Sequence, residues 1–259
     1  MFKSIPQAKT WIPSSCNTET ILLNCGQEKT LSSILNTIYH LYASEKGKSR
    51  WGDKTPKNLH SIDAILSLYP NAKIVIVVRD CRDVALSLNK AEFSRASFIT
   101  SSIRWQKDVN HTIKAIKKYS SNIFILKYED LLTTPKKTLR QLLSFCELSE
   151  DPLLLERYSR HDDDVTHTKS SLYMKPISKD NLGKWKKNLS SSDIQDIEAL
   201  AKAGLTYFNY PLVNSNAEIS RSKIISSKVI DFIRLSKNRK NLENYLSFIY
   251  ILIKFLSRR

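Results

Sequence analysis

The chain has 259 residues, 41% of them hydrophobic and 25% charged, which excludes a disordered or fibrous protein and allows one sizeable α/β domain, or a domain plus a tail. Its 41 Lys and Arg against 25 Asp and Glu leave a formal net charge of +16, a field that favours an anionic partner: nucleic acid, phospholipid headgroups, acidic glycans or a phosphorylated nucleotide. Cys16, Cys25, Cys81 and Cys146 form no CxxC pair and keep no regular spacing, which argues against a zinc site or a disulfide framework and favours a reducing, cytoplasmic setting.

The opening MFKSIPQAKTW lacks the continuous apolar stretch of a secretory signal. Residues 1–27 have no clear period and hold Pro6, Pro13 and SSCNTET, so they read as an irregular segment with a short apolar turn at Ile21 to Leu23. From Leu31, apolar positions at Ile34, Leu35, Ile38, Leu41 and Tyr42 recur at helical spacing up to Lys46-Gly47-Lys48. A further helix is expected from Leu59 to Leu68, ahead of Pro70. Ile74 to Val78 are all apolar and β-branched, a run that suits a strand buried on both faces. The segment from Asp83 to Lys90 reads as the next helix, which puts Arg79 at the strand's carboxyl end.

Residues 98–119 predict a long helix with Ile103, Val109, Ile113 and Ile116 inward, IFILK at 123–127 a second buried strand, and LLTTPKKTLRQLLSF one more helix. Strands and helices in this alternation predict an open α/β sheet with its ligand at the carboxyl ends of the strands. The polar stretch 157–176 is long enough for a ligand-covering loop. Ser192 to Gln195 has the spacing of a capping box, opening a helix that Gly204 should close. From Asn214 the chain reads as a basic helical tail at 214–259, behind a main domain at 28–213. Its apolar run, Tyr245 to Leu256, holds Lys254 and is too short to span a bilayer. Basic residues beside an apolar face are consistent with membrane-surface contact, although a helix packing back on the domain is the commoner outcome.

The segment Val78-Arg79-Asp80-Cys81-Arg82-Asp83-Val84-Ala85-Leu86-Ser87 carries the most chemical information. A guanidinium at a strand end and a hydroxyl eight residues on can converge on one phosphate, with the helix amino end adding partial positive charge. The plainer alternative is a surface ion-pair cluster of Arg79, Asp80, Arg82 and Asp83.

Arg-x-x-Arg-Asp-x-x-x-Ser after a buried strand resembles the 3′-phosphate-binding motif of sulfotransferases that use 3′-phosphoadenosine 5′-phosphosulfate (PAPS). WGDKTPKN at 51–58 is similar to the lysine-containing segment of the bacterial, tyrosylprotein and heparan types. LKYEDLLTTP at 126–135 looks like the family's Tyr-Glu-Asp-Leu stretch, and KPISKDNLGKWKKNLS at 175–190 its late loop. The four together cover roughly residues 28–212 in the family's order.

The resemblance implies a P-loop-NTPase-like open parallel sheet flanked by helices, with PAPS as sulfuryl donor, 3′-phosphoadenosine 5′-phosphate (PAP) as product, no metal and a hydroxyl acceptor on a saccharide or small metabolite. Arg79 and Ser87 would bind the 3′-phosphate. Tyr128 and Lys184 would contact the nucleotide, with Ser170 and Ser171 in a flap from Lys169 to Ser178. Lys54 would stabilise the transferring sulfuryl group, where a point charge offsets the charge that builds on equatorial and leaving oxygens. The plainer readings are a surface lysine in a proline turn for Lys54 and a core residue for Tyr128; Trp105 and Trp185 read as packing residues.

The family's amino-terminal Pro-Lys/Arg-Ser-Gly-Thr-Thr loop, which cradles the 5′-phosphosulfate, has no counterpart here. The chain therefore reads as amino-terminally incomplete, with Asp53, His40 and His60 as weak substitutes for the general base. No GxxxxGK[ST] stands anywhere, which sets a P-loop kinase aside. His161 and His167 with the three aspartates between them fit no zinc pattern and read as a solvated loop. Two other classes stay open: a non-catalytic sulfotransferase-like module that binds the anion through Arg79 and Ser87, and a basic protein that holds polyanions non-specifically. No specific nucleic-acid partner is expected.

Overall fold

The structure is a computed structural model that describes residues 17–91, 94, 96–150 and 179–236. The chain falls into two compact units, Met1–Ala72 and Lys73–Arg259.

In the first unit, helix α1 spans Thr18–Asn24 within the stretch expected to be irregular. Its start is a side-chain cap, Asn17 Oδ1 accepting from the Thr20 amide at 2.8 Å, and Ile21 is its buried residue. Helix α2, Leu31–Glu45, starts at the Thr30 cap as its periodicity predicts. Pro56–Ser61 form a 3-10 turn that runs into α3, Ile62–Leu68, where a single helix from Leu59 was expected. Trp51 stacks on Tyr39 with ring centroids 4.3 Å apart and donates to Asn36 Oδ1 at 3.2 Å, so it ties the start of the WGDKTPKN segment to α2.

The second unit is built on two parallel strands, β1 (Ile74–Val78) and β2 (Ile123–Lys127), paired from Ile74 with Ile123 to Val78 with Lys127. Between them run α4 (Cys81–Lys90) and α5 (Phe98–Lys118). After β2 come α6 (Tyr128–Thr133) and α7 (Pro135–Phe145), two helices rather than the one expected, because Pro135 cannot continue the α6 hydrogen-bond ladder. The late segment supplies α8 (Trp185–Asn188), α9 (Ser191–Tyr207) and α10 (Arg221–Ser236). An α/β architecture with a parallel sheet flanked by helices follows, as the alternation of elements predicts.

The core gathers Val78, Cys81, Ala85, Trp105, Val109, Ile197, Ala201, Leu205 and Phe208, with Ile76 and Ile125 packed against it. One face of β1 therefore points into the core. The expectation of burial on both faces is corrected by Val75 and Val77, which alternate to the opposite side and are 37% and 61% exposed.

Two helix signals are also corrected. The capping box of α9 is Ser190 with Asp193, not Ser192 with Gln195, because Ser190 closes both reciprocal bonds two residues earlier. Gly204 does not end α9, which continues to Tyr207. It sits inside the helix because a Cβ there would lie 2.5 Å from Trp105 Cζ3, so its missing side chain is what lets α9 approach α5.

Helix α10 packs back on the unit through its polar face. Ser97 donates to Asp231 from both its amide (3.1 Å to each oxygen) and its hydroxyl (2.7 Å), and Ser227 donates to Ser97 Oγ at 2.7 Å. Ile225, Val229 and Ile230 face outward. No helix among the described residues is long and apolar enough to cross a membrane.

Candidate anion-binding site

Because β1 and β2 run parallel and in register, Arg79 and Tyr128 leave the same end of the sheet side by side. The Arg79 guanidinium lies over the Tyr128 ring, 4.5 Å from its centroid. Its backbone is pinned by Trp105, whose Nε1 donates to the Arg79 carbonyl at 3.1 Å. Arg79 Nη2 donates to the Asn181 carbonyl at 2.7 Å and stands 3.6 Å from Asp83 Oδ2. Arg79 Nε is buried and has no hydrogen-bond partner among the described residues, while the side chain as a whole keeps 23% of its surface in solvent. A buried donor without an acceptor costs free energy, and an anion that reached this open corner would relieve that cost.

Asp83 is 3% exposed and connects the start of α4 to the late loop. Its Oδ2 accepts from the Gly183 amide and its Oδ1 from the Trp185 amide, both at 2.9 Å. Lys184 lies between those two amides, with its side chain exposed. Ser87, four residues after Asp83 on α4, shares its helix face and is also exposed.

The other half of the motif turns inward. Asp80 caps α4 through the Arg82 amide at 2.9 Å. The Arg82 guanidinium, 1% exposed, forks Asp80 at 2.9 and 2.7 Å, reaches Glu198 Oε1 at 2.6 Å and the Pro211 carbonyl at 2.9 Å, and lies 3.8 Å above the Trp185 ring. Burial works against its charge, but Asp80 and Glu198 outweigh that and hold its proton above the ordinary arginine range. Glu129 accepts from the Asp80 amide at 3.0 Å and from the Tyr210 hydroxyl at 2.8 Å. Burial, and then the Glu129 charge, push the Tyr210 phenol far above its ordinary value. Burial likewise keeps Cys81 a thiol.

Of the residues singled out in the sequence, Arg79, Tyr128 and the backbone around Lys184 are brought to one corner, with Ser87 one helical turn away. Lys54 belongs to the first unit and is exposed, beyond Trp51; Asp53 beside it accepts from Thr55 and Asn58. Ser170 and Ser171, the whole flap and the His161 to His167 loop lie outside the described residues. Trp105 and Trp185 are buried packing residues, as read. The ion-pair reading of the motif holds in its pairing, Arg82 with Asp80 and Arg79 with Asp83, and is corrected in its place, since Asp80, Arg82 and Asp83 are buried rather than at the surface. Sequence reasoning missed Asp83 as the loop's anchor and Glu198 as a partner of Arg82. Nothing local signalled either, since the amides Asp83 holds lie 100 and 102 residues away and the carboxylate Arg82 meets lies 116 residues away.

The chain matches the model of a sulfotransferase family over residues 7–152. It is 24% identical over 161 residues to the protein-tyrosine sulfotransferase of Drosophila melanogaster, covering 58% of this chain and 32% of that protein. To an uncharacterized protein of Aquifex aeolicus it is 32% identical over 114 residues, 41% of this chain and 15% of the other. The chain thus spans less than half the length of the curated relatives it matches. Among solved structures, the sulfotransferase domain of the curacin biosynthetic pathway superposes with a TM-score of 0.54 at 17% identity, over 74% of this chain and 78% of that one. The sulfotransferase domain of the Synechococcus PCC 7002 olefin synthase gives 0.54 at 20% identity, over 74% of each. These two likenesses show a shared fold.

Proposed function

The chain belongs to the sulfotransferase family, and on that premise we propose that it transfers a sulfuryl group from PAPS to a hydroxyl acceptor, a saccharide or other small metabolite. In that reaction the acceptor oxygen forms a new bond to sulfur while the bond from sulfur to the phosphate oxygen breaks. The electron pair leaves with PAP, and the acceptor proton passes to a base. Arg79 and Ser87 hold the 3′-phosphate, and Tyr128 and Lys184 contact the nucleotide.

The observation that carries this reading is the Arg79 corner. A guanidinium whose buried Nε has no partner among the described residues is held at the carboxyl end of a parallel strand, above Tyr128 and in reach of solvent. Titration calorimetry with PAP tests it. Wild type should bind, and Arg79→Ala should weaken binding by about 10- to 100-fold, the loss of hydrogen bonds to a charged group. Ser87→Ala should cost less, about tenfold. Equal affinity of wild type and Arg79→Ala would refute the site. Binding without sulfate transfer to any hydroxyl acceptor would favour the non-catalytic module.

The tail adds a membrane-surface contact to this proposal. With its polar face spent on Ser97, α10 turns Ile225, Val229 and Ile230 outward on a chain of net charge +16, which suits an anionic bilayer surface. Co-flotation with phosphatidylserine vesicles should fall when Ile225 and Val229 become Asn; unchanged flotation would reject the contact.

A further inference from the structure

Asp83 commits a buried carboxylate to two amides lying 100 and 102 residues further along the chain. Such a group is costly to bury unless both oxygens are paired, so the bonds it makes fix whatever it holds. What it holds is the backbone on either side of Lys184, and the same Oδ2 faces Arg79 Nη2 at 3.6 Å. The loop is fixed a second time by Asn181, whose carbonyl accepts from Arg79, and by Trp185, buried under the Arg82 guanidinium. Gly183 makes the turn at a φ of +60°, a conformation a side chain would strain.

We infer that Asp83 is a positioning residue for the anion corner: it docks the Gly183–Trp185 backbone against Arg79, so that Lys184 and Arg79 bear on the same 3′-phosphate. The inference rests on the nucleotide reading above. It carries a sign that distinguishes it from a plain charge effect. A negative charge 3.6 Å from Arg79 repels an incoming phosphate, so neutralising Asp83 should strengthen anion binding if charge were its whole contribution. If Asp83 positions the loop, Asp83→Asn weakens binding instead, because Gly183 and Trp185 each use a different carboxylate oxygen and asparagine replaces one of these with an NH2 group that cannot accept.

The test is the preference ratio, the dissociation constant of adenosine 5′-phosphate divided by that of PAP, which isolates the 3′-phosphate. Asp83→Asn should lower that ratio about tenfold while leaving adenosine 5′-phosphate affinity nearly unchanged. Gly183→Ala perturbs the same contact from the loop's side and should lower the ratio in the same direction. It also serves if Asp83→Asn does not fold. A ratio unchanged or raised in the folded variants overturns the inference and leaves the nucleotide reading standing. Wild-type protein that does not distinguish the two nucleotides overturns both.

Discussion

Replacing Arg82 with Met removes one guanidinium and strands two acids. Asp80 keeps the Arg82 amide, and Glu198 keeps the amides of Val213 (3.0 and 3.1 Å) and Asn214 (2.9 Å), but both lose the cation that pairs with them in a site where Arg82 is 1% exposed. Removing one partner of a buried ion pair typically costs about 3–5 kcal/mol. That is a large share of the roughly 5–15 kcal/mol by which a domain is stable. With a urea slope of about 2 kcal/mol/M, the unfolding midpoint should fall by about 2 M. The cost should shrink by 1 kcal/mol or more, an order-of-magnitude figure for coupled neighbours, when Arg82→Met is made in a Glu198→Gln background, since one stranded charge is then already gone. Equilibrium urea unfolding of the four proteins reads both numbers. A single-variant loss below about 1 kcal/mol, or strictly additive losses, would mean that the network does not hold this corner together.

Gly204→Ala sets two effects of opposite sign against each other. Helix propensity alone would favour alanine by about 1 kcal/mol, but a Cβ 2.5 Å from Trp105 Cζ3 and 3.0 Å from Val109 Cγ1 overpacks the joint between α5 and α9, at about 1–3 kcal/mol. A lower melting temperature by calorimetry is expected, and a higher one would refute the packing argument. Tyr210 titrates higher in the folded chain than its ordinary value of 10.0, so its contribution to stability is full below pH 10 and is lost as pH rises beyond it. Tyr210→Phe should flatten the alkaline fall in stability by about 1.4 kcal/mol per pH unit above pH 10, read from urea unfolding between pH 9 and 11.5; identical slopes would count against it. Near neutral pH the same variant should lose about 1 kcal/mol with the Tyr210–Glu129 hydrogen bond.

Much of this architecture is legible from local signals. IVIVV is an unbroken β-branched run and IFILK an apolar one up to its final lysine, and both form strands over the residues expected. The long α5 helix follows its period, ending one residue before the expected boundary. The misreadings share a physical cause, which is that the deciding partner is remote in sequence. Gly204 looks like a stop signal until Trp105, 99 residues earlier, is known to press against it. Val75 and Val77 look like core residues until the sheet is known to carry its helical core against Ile76 and Val78. The three serines at 190–192 offer several registers for a cap, and the reciprocal bond with Asp193 selects Ser190. At the candidate site, Arg79 and Tyr128 could be paired from sequence because each ends a strand. The Asp83 clamp could not, since its acceptor geometry depends on a loop a hundred residues away.

Helical phase explains why one short motif needs two arginines. Asp83 and Ser87 are four residues apart and share a face of α4, the face toward which Arg79 reaches from the strand end. Arg82 precedes Asp83 by one residue, about 100° round the helix, and so points into the unit. There it meets Asp80, Glu198 and the Trp185 ring, while its neighbour Asp83 takes the Trp185 amide. The late loop is therefore gripped by consecutive residues, its ring by Arg82 and its backbone by Asp83. Arginine suits the inner position because a planar fork can serve two carboxylates, a carbonyl and an aromatic face at once, which a lysine ammonium cannot. Arg82→Lys should accordingly lose most of what Arg82→Met loses, despite keeping the charge. A lysine variant as stable as wild type would show that charge alone, and not the fork, holds the loop in place.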